Sequence, residues 1–455
     1  MVAERERVFI IGVGCTAFTK PGQRQTNDMG LEAATKALLD AGITYDSVEA
    51  AFVGYVFGAS TTGQAALYQL GLTGIPITNV NNNCSTGSTA LVHAAALVRA
   101  GDAHCALALG FERMAPGALG TKPAFPDRPS PIGPLVAVAE RASPDSKRGP
   151  PMPRMFGAAA TEYFRKYGGG VEHLAKIAAK NHKHSVNNPY AQFRAGYDEA
   201  AVLASPQISN ELTKYMCSPT SDGAACCILA NEAFVHANRL ENQAIELVAT
   251  GLATDYLDAF AGRSAMDTVG YGMTRRLADK IFAQAGASRD DVGVVELHDC
   301  FAANELVTYP ALGLCAVDDA HRFVERGDNT YGGKYVINPS GGLEAKGHPL
   351  GATGLAMHFS ITMQLRNWAG PMQAPGIFDL PDARGKYGLV HNIGLGGAVV
   401  VSLLRRPEFY LADGPDGRDR LGYNHAHELR TITRADVDKV RSKSHSEGLL
   451  QLAKL

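Results

Sequence analysis

Cys84 is the side chain whose place in the sequence most favours nucleophilic chemistry. It follows three asparagines and precedes Ser85 and Thr86, where an apolar helical stretch begins. A thiol at a helix N-terminus lies at the positive end of the helix dipole, which lowers its pKa and favours the nucleophilic thiolate. Because most cysteines are simply buried structural residues, this interpretation requires catalytic partners elsewhere in the chain.

His348 is a candidate for the base that such a nucleophile needs. It lies between Gly347 and Pro349 in a glycine-rich run that extends from Asn338 to Gly354. An imidazole titrates near neutral pH, so it can take the proton of a thiol or donate to a developing oxyanion. A lone histidine in such a loop is more often a turn residue, but the length of the run favours a functional role.

A third segment combines an imidazole with a second thiol. The strand-like run that starts at Val294 leads into His298, Asp299 and Cys300. Alternation along a strand places His298 and Cys300 on one side and Asp299 on the other. The pair could bind zinc, but no second Cys/His cluster with ligand spacing occurs, so we expect no metal site. An acid–base pair is the better interpretation.

A fourth segment is rich in glycine and could bind an oxyanion. It runs from His391 and Asn392 through Gly394 to Gly397. Glycines allow backbone N–H groups to point at a developing negative charge. Taken alone this signal is weak, since glycine-rich strand entries are common.

Composition limits the classes of function. The 455 residues are 45% apolar and 19% charged, which is typical of a globular protein, and the net charge of -2 gives no reason to expect nucleic acid or an anionic membrane as a partner. The eight cysteines form no regular spacing, so we expect free thiols and a reducing compartment. No signal peptide is expected, and no apolar run approaches the ~20 residues of a membrane span. These features favour the cytoplasm.

The order of elements predicts an α/β fold. Short apolar runs alternate with Ala-rich helical stretches, which is typical of helices layered on buried sheets. The chain also contains a weak internal repeat. The Cys84 loop leads to a helix, Gly101 and a strand ending at Gly110, and the His348 loop leads to a helix, Gly370 and the strand 398–404. This repeat indicates a duplicated unit with pseudo-twofold symmetry.

Domain boundaries follow from these patterns. We expect an N-terminal half formed by 1–110 and 216–250, and a C-terminal half formed by 251–405. Prolines cluster in the intervening segment 111–215, which we interpret as an inserted loop domain that builds a ligand tunnel. The charged segment 406–455 is expected to be a C-terminal tail, an appendage outside the core.

Four motifs together resemble the active-site loops of the thiolase superfamily, and more narrowly its sterol-carrier-protein type. They are Asn82-Asn83-Cys84-Ser85-Thr86-Gly87-Ser88, His298-Asp299-Cys300-Phe301, Gly347-His348-Pro349-Leu350-Gly351-Ala352-Thr353-Gly354 and His391-Asn392-Ile393-Gly394. The similarity extends over about residues 7–404. The resemblance implies a thiolase fold, which is a duplicated five-layered αβαβα core with an inserted loop domain.

The resemblance also implies an activity and roles for individual residues. The activity is cleavage of a 3-oxoacyl-CoA by CoA through an acyl-Cys84 intermediate, in lipid or sterol side-chain degradation. CoA is then a substrate, no cofactor is bound, acyl-CoA and CoA are the partners, and the enzyme is a homodimer. The implied site residues are the catalytic Cys84, His298, Cys300 and His348, the oxyanion-binding backbone of Cys84 and Gly394, and the substrate-binding Met155, Phe156, His184 and Ser221.

Departures from the family pattern leave alternatives open. His391 and Asn392 stand where most thiolases carry an acid–base cysteine, a role that Cys300 takes over in the sterol-carrier type. A ketosynthase-like condensing enzyme and a non-thiolytic acyl-CoA-binding or retro-aldolase scaffold are alternative functions. We expect no fused sterol carrier domain, because the tail is too short for one. The terminal Ala453-Lys454-Leu455 is similar to a peroxisomal signal, so the peroxisomal matrix is the alternative location.

Overall fold

The computed structural model describes residues 5–115, 130–144, 149–209, 211–262, 264–377, 386–412 and 420–446. Its strands are β1 (Val8–Cys15), β2 (Ala50–Gly54), β3 (Ile77–Val80), β4 (Cys105–Glu112), β5 (Gly223–Asn231), β6 (Ile245–Ala253), β7 (Val292–Glu296), β8 (Val336–Ile337), β9 (Tyr387–Gly394) and β10 (Ala398–Arg405). Its helices are α1 (Thr26–Ala41), α2 (Thr62–Leu67), α3 (Thr86–Ala100), α4 (Ile132–Ala142), α5 (Pro151–Tyr167), α6 (Val171–Ser185), α7 (Glu199–Leu203), α8 (Glu232–Ala237), α9 (Leu257–Ala261), α10 (Ala265–Thr268), α11 (Tyr271–Ala285), α12 (Ala302–Leu312), α13 (Ala320–Glu325), α14 (Gly342–Lys346), α15 (Leu350–Arg366) and α16 (Arg434–Val440).

The strands form one sheet whose two halves repeat the same topology. The order is β3-β2-β4-β5-β1 followed by β6-β10-β9-β7-β8, so each strand of the first half has its counterpart five strands later in the chain. The halves are joined by a short pairing of Phe9 and Ile10 in β1 with β6. The duplicated α/β core that the sequence indicates is therefore confirmed.

One strand equivalence drawn from the sequence is wrong. The internal repeat in the sequence pairs the strand 398–404 with the strand ending at Gly110, which is β4. In the sheet the counterpart of β4 is β9, and residues 398–405 form β10, the counterpart of β5. The reason is that β9 contains His391 and Asn392, polar residues that interrupt the apolar pattern of a buried strand although both are buried.

Helices cover both faces of the N-terminal half of the sheet. Along β4, Leu107 and Leu109 pack on the α1 side, and Ala106 and Ala108 pack on the opposite side with α3. This alternation is the period of two expected of a strand. Helix α15 contacts strands of both halves, and α11 covers β6 and β10. The five layers are, in order, α1, the first half of the sheet, α3 with α15, the second half of the sheet, and α11.

Glycines let the two central helices approach very closely. A Cβ on Gly87 in α3 would lie 2.7 Å from the carbonyl oxygen of Gly351 in α15. A Cβ on Gly351 would in turn lie 2.7 Å from the carbonyl oxygen of Gly54 and would collide with that of Phe111. Atoms closer than van der Waals contact force the backbones apart. The N-termini of α3 and α15, which follow Cys84 and His348, are thus held side by side.

The segment between β4 and β5 carries α4 to α7, where the sequence predicts a loop domain. Helix α5 packs on α12, and α6 packs on α12 and α14, so these helices cover the C-terminal half around Cys300. The boundary drawn at 250/251 falls inside β6. Pro123, Pro126 and Pro129 of this segment lie outside the described residues, as does the terminal Ala453-Lys454-Leu455.

The C-terminal segment is not an appendage throughout. Leu421, Val437 and Val440 are buried in the core on the outer side of the N-terminal half. Arg420 donates to the carbonyl oxygen of Asp40 at 2.8 Å. The burial of this segment could not be predicted from its sequence, because its few apolar residues are separated by many charged ones.

Two expectations concern the whole chain. All eight cysteines are free thiols, as the irregular spacing predicts. Among the described helices, none combines the length and the apolar character that crossing a bilayer requires.

The close crossing of α3 and α15 predicts a large cost for Gly351→Ala. The added methyl group meets backbone carbonyls of β2 and β4, which cannot rotate away, so we expect the free energy of unfolding in urea to fall by about 1–3 kcal/mol. Gly133 is the matched control, because it is exposed in α4 and a Cβ there meets no atom within 4 Å. Gly133→Ala should leave stability unchanged or slightly raise it; equal losses in the two variants would contradict the packing argument.

Candidate active site

Cys84 lies on a short loop between β3 and α3. Ser85 is the N-cap residue and Thr86 the first residue of α3, so the cysteine immediately precedes the cap. Asn83 adopts a left-handed conformation, with φ 49°. Its side chain donates to the carbonyl oxygen of Leu395 at 2.6 Å. The loop is therefore fixed against the strand-turn-strand of the other half of the molecule.

The structure brings three of the predicted residues together. The sulfur of Cys84 and one ring nitrogen each of His298 and His348 all lie within 4.8 Å of one another. The two imidazole rings stand almost perpendicular, with centroids 5.0 Å apart. Both histidines are buried, and Cys84 is half-buried. A Cys/His/His set can also ligate a metal, so the expectation that no metal binds stays a prediction.

Hydrogen bonds fix the tautomer of His348. Its Nδ1 lies 2.8 Å from the hydroxyl of Thr353, and that hydroxyl donates to the carbonyl oxygen of Pro349 at 2.9 Å. Since a hydroxyl has one proton, a Thr353 hydroxyl that donates to Pro349 accepts from Nδ1–H. The Nε2 atom then carries the lone pair, and it is buried without a hydrogen-bond partner among the described residues. The arrangement suits acceptance of a thiol proton.

His298 has the complementary tautomer. The side-chain amide nitrogen of Asn392 donates to the carbonyl oxygen of Cys84 at 3.1 Å and lies 2.9 Å from Nδ1 of His298. Because the Cys84 carbonyl can only accept, the orientation of the amide is determined, and Nδ1 of His298 must accept as well. Its proton is therefore on Nε2. One imidazole of the site offers a lone pair and the other offers an N–H.

Burial makes the resting site electrically neutral. It lowers the pKa of His348 to about 3, with a smaller contribution from Lys346, and it holds the pKa of His298 well below its usual range. Burial also raises the pKa of Cys84 to about 12, and the Glu112 carboxylate adds to this rise. The expectation of a helix-activated thiolate is therefore wrong, because desolvation outweighs the dipole. The resting pair is a thiol and a neutral imidazole.

Cys300 is not part of this tight cluster, although it lies within electrostatic reach of Cys84. It follows β7, is buried, and its carbonyl oxygen accepts from the N–H of Ser218 at 2.9 Å. Burial holds the pKa of Cys300 well above its usual value, and the negative charge of a Cys84 thiolate would raise it further. The two sulfurs therefore interact electrostatically. Asp299 instead points to α14, where it accepts from Leu343 N–H at 2.8 Å.

Of the two predicted oxyanion donors, the first is the backbone N–H of Cys84 itself, and the second, Gly394, borders the Cys84 loop. The backbone N–H of Cys84 is close enough to its own Sγ to lower the pKa of the thiol. Gly394 ends β9 beside the Cys84 loop, where a Cβ would lie 3.0 Å from Ser85 N and would collide with the carbonyl oxygen of Asn82. Only a residue without a side chain fits at this contact.

The four predicted substrate-binding residues occupy different surroundings. Ser221 is at the site, since its hydroxyl accepts from the N–H of His348 at 2.9 Å. The ring of Phe156 packs at a tilt against that of Phe301, the residue after Cys300, with ring centroids 4.7 Å apart. Met155 is buried in the core at α5. His184 is bound to the carbonyl oxygen of Asn338 and the hydroxyl of Thr330, at 3.0 and 2.9 Å.

Sequence reasoning named Asn392 and Thr353 within motifs but gave them no role. In the structure they set the tautomers of His298 and His348. The spacing of Thr353, four residues after Pro349 at a helix start, was an available signal, because a threonine there can bond back to the carbonyl of residue i−4. The role of Asn392 depends on the pairing of β9 and has no local signal.

Comparison with known proteins agrees with this geometry. The family models "Thiolase, N-terminal domain" and "Thiolase C-terminal domain-like" match residues 8–197 and 261–401. The chain is 52% identical over 404 residues to sterol carrier protein 2 of Bos taurus, covering 88% of this chain and 72% of that protein. The chain belongs to the thiolase family. With relatives of this kind it is of the sterol-carrier-protein type.

Further similarities concern the enzyme class and the fold. An acetyl-CoA acetyltransferase of Methanothermobacter thermautotrophicus is 31% identical to this thiolase, with 88% of this chain and 99% of that protein covered. This similarity supports acyltransferase as the enzyme class of the chain. The solved Ltp2-ChsH2(DUF35) aldolase matches with a TM-score of 0.71 at 19% identity, covering 89% of this chain and 99% of that one. Human mitochondrial 3-ketoacyl-CoA thiolase matches with a TM-score of 0.64 at 18% identity, covering the same shares. These structures establish the fold.

The tautomer of His348 can be tested with Thr353→Val. Without the hydroxyl, Nδ1–H is left buried and unpaired, which costs about 1–3 kcal/mol and shifts the proton toward Nε2. We expect kcat/KM for acetoacetyl-CoA and CoA to fall about ten- to hundredfold. Thr362 is the matched control, because it lies in the same helix α15 with a buried hydroxyl that has no partner among the described residues. Thr362→Val should retain activity; if Thr353→Val retains it equally, the hydroxyl does not set the tautomer.

Proposed function

We propose that this thiolase cleaves a 3-oxoacyl-CoA with CoA, giving a shortened acyl-CoA and acetyl-CoA or propionyl-CoA through an acyl-Cys84 intermediate. The observation that carries the proposal is the pair of opposite tautomers around one sulfur. Near Cys84, the His348 lone pair can take a proton and the His298 N–H can bind an oxygen. Base, nucleophile and hydrogen-bond donor are the groups that a covalent acyl transfer needs.

The first step forms the covalent adduct. The Cys84 sulfur attacks the 3-keto carbon while its proton passes to Nε2 of His348. Because the thiol has a raised pKa and the imidazole is neutral, attack and proton transfer occur together instead of starting from a stored ion pair. The carbonyl oxygen becomes an oxyanion, which the N–H of Cys84 and the backbone near Gly394 stabilise. One such donor is typically worth about 3 kcal/mol.

The second step breaks the carbon–carbon bond. The adduct collapses to the acyl-Cys84 thioester, and the C2–C3 bond electrons leave as the enolate of acetyl-CoA or propionyl-CoA. The enolate oxygen is bound by Nε2–H of His298 and by the proton now on His348. Its carbon takes a proton from Cys300. In the last step CoA gives its thiol proton to Cys300, attacks the thioester, and the released Cys84 recovers its proton from His348.

The names of the relatives support lipid-derived substrates. Sterol carrier protein 2 and the acetyl-CoA acetyltransferase point to acyl-CoA chemistry on lipid chains. We therefore propose lipid or sterol side-chain degradation as the setting, and a homodimer as the working form. His184, Met155 and Phe156 are proposed to shape the acyl-binding region indirectly, and Ser221 to position His348.

The test compares Cys84→Ala with Cys315→Ala. Removing the nucleophile should lower kcat for cleavage of acetoacetyl-CoA by CoA by about 10⁴-fold or more, measured as acetyl-CoA released. Cys315 is a half-buried thiol after α12 and should be replaceable without loss.

Two outcomes would favour the other reactions. Cleavage that survives in Cys84→Ala and does not require CoA would contradict the covalent route and favour a retro-aldol reaction. Full activity in Cys300→Ala, together with decarboxylation of a malonyl thioester, would favour a condensing enzyme, because that chemistry uses two histidines and no second thiol.

A further inference from the structure

Glu112 is a buried carboxyl group that the mechanism above does not use. It is the last residue of β4, and it is 0% exposed. Because side chains alternate along a strand, Glu112 points to the same side of β4 as Ala106 and Ala108, which is the side of α3 and α15. A carboxyl group in a dry interior costs free energy unless donors surround it. Its contacts therefore show what the position requires.

Three backbone N–H groups from the two halves of the molecule bind this carboxyl group. Val56 and Phe57, which follow β2, donate to Oε2 at 3.0 Å and to Oε1 at 2.9 Å. Gly351, in the first turn of α15, donates to Oε2 at 3.0 Å. A single oxygen atom thus joins the loop after β2 to the helix that begins two residues after His348.

The two segments that Glu112 joins both take part in the packing around the nucleophile. Met114 and Leu350 form a small buried cluster, and Val56 and Cys84 pack against it. Val56 binds Glu112 directly, and Leu350 is bound through the next residue of the chain. The apolar surroundings of the Cys84 thiol are therefore held in place by Oε2 of Glu112.

The carboxylate also acts on Cys84 through its charge, which adds to the rise in the pKa of that thiol. Burial raises the pKa of Glu112 to about 7, against the effect of the three N–H donors, and Asp222 adds to the rise. The carboxylate predominates above pH 7 and the neutral acid below it. The titratable groups around Glu112 are Asp222 before β5, Cys84 before α3 and His348 before α15.

A carboxylate is the side-chain group that suits all three donors. An amide presents N–H groups at one of the two oxygen positions, so at least one backbone N–H of Val56, Phe57 and Gly351 would face another donor. A protonated acid carries a donor on one oxygen and lacks the charge that strengthens the three bonds. The contact therefore depends on the ionised form of Glu112.

We propose that Glu112 is a positioning residue of the thiolase reaction, whose carboxylate holds Val56 and the first turn of α15 together around Cys84 and so fixes the thiol against the His348 base. The residue acts through these neighbours and does not touch the substrate. The inference rests on the proposed function, in which the Cys84 proton passes to His348. It accounts for a charged acceptor at a point where burial opposes charge.

The first test compares two substitutions that change different properties of Glu112. Glu112→Gln keeps the length of the side chain but removes the charge and one acceptor. Glu112→Asp keeps the carboxylate but is one methylene shorter, so it cannot reach both segments. We expect each variant to lower kcat for cleavage of acetoacetyl-CoA by CoA about ten- to hundredfold with little change in KM, because a misplacement of about 1 Å between reacting groups has an effect of this size. Normal kcat in both variants would overturn the inference.

The pH dependence of kcat separates positioning by the carboxylate from a general loss of structure. In the parent protein kcat should fall as the pH falls through about 7, because the neutral acid then replaces the carboxylate. The pKa of His348 is about 3 and that of Cys84 about 12, so neither titrates in this range. The fall should be absent in Glu112→Gln and present in Glu112→Asp. An unchanged fall in Glu112→Gln would contradict the proposal.

Glu162→Gln is the matched control. Glu162 is 1% exposed and accepts from the backbone N–H groups of Ala265 and Met266, but it lies on α5, outside the cluster around Cys84. The variant should lose stability in a thermal melt much as Glu112→Gln does, yet it should keep the parent kcat and pH profile. An equal fall of kcat in the two variants would show that the loss of any such contact is sufficient, and would overturn the specific role of Glu112.

Crystal structures of the parent protein and of the two Glu112 variants at pH 8 test the geometry without catalysis. We expect the distance between the Cys84 sulfur and the His348 ring to increase in the variants, since Val56 or Gly351 loses its bond to the carboxylate. An unchanged distance would overturn the inference whatever the kinetics show. Thiolysis that survives in Cys84→Ala would instead overturn the proposed function, and the crystallographic comparison would still decide whether Glu112 positions the thiol.

Discussion

The close approach of α3 and α15 is the constraint on which the site depends. Each helix begins directly after a reactive residue, Cys84 or His348, and the glycines at their contact let the two N-termini meet. Because the helices belong to different halves of a duplicated sheet, neither half alone contains a nucleophile and its base. The active site is a product of the pairing of the halves, and β9 completes it by bringing Asn392 against the Cys84 loop.

The second governing effect is desolvation. The interior around Cys84 keeps the thiol and both imidazoles neutral. The resting site is therefore prepared by the positions of its protons, and it contains no separated charges. Thr353 and Asn392 decide which nitrogen carries each proton. Neutral groups that exchange protons during bond making avoid the cost of a buried ion before the substrate arrives.

Motif-level features of the site could be predicted from the sequence, and features that depend on long-range packing could not. Cys84, His298, Cys300 and His348 stood out because their residue types and glycine neighbours are local. The orientation of Asn392 required knowing that His391 and Asn392 lie within a strand, which their polarity concealed. The raised pKa of Cys84 could not be predicted from the sequence, because the helix dipole is a local feature while burial depends on the whole fold. The docking of Leu421, Val437 and Val440 was hidden by the charged residues between them.

The most direct measurement is the site of acyl transfer. The protein is incubated with acetyl-CoA in the absence of free CoA, digested at acidic pH to preserve thioesters, and mapped by peptide mass spectrometry. The account predicts a single acetyl group, on the peptide that contains Cys84, and its removal when CoA is added. Acetylation of Cys300 instead, or no acetylation under conditions in which the enzyme turns over, would contradict it.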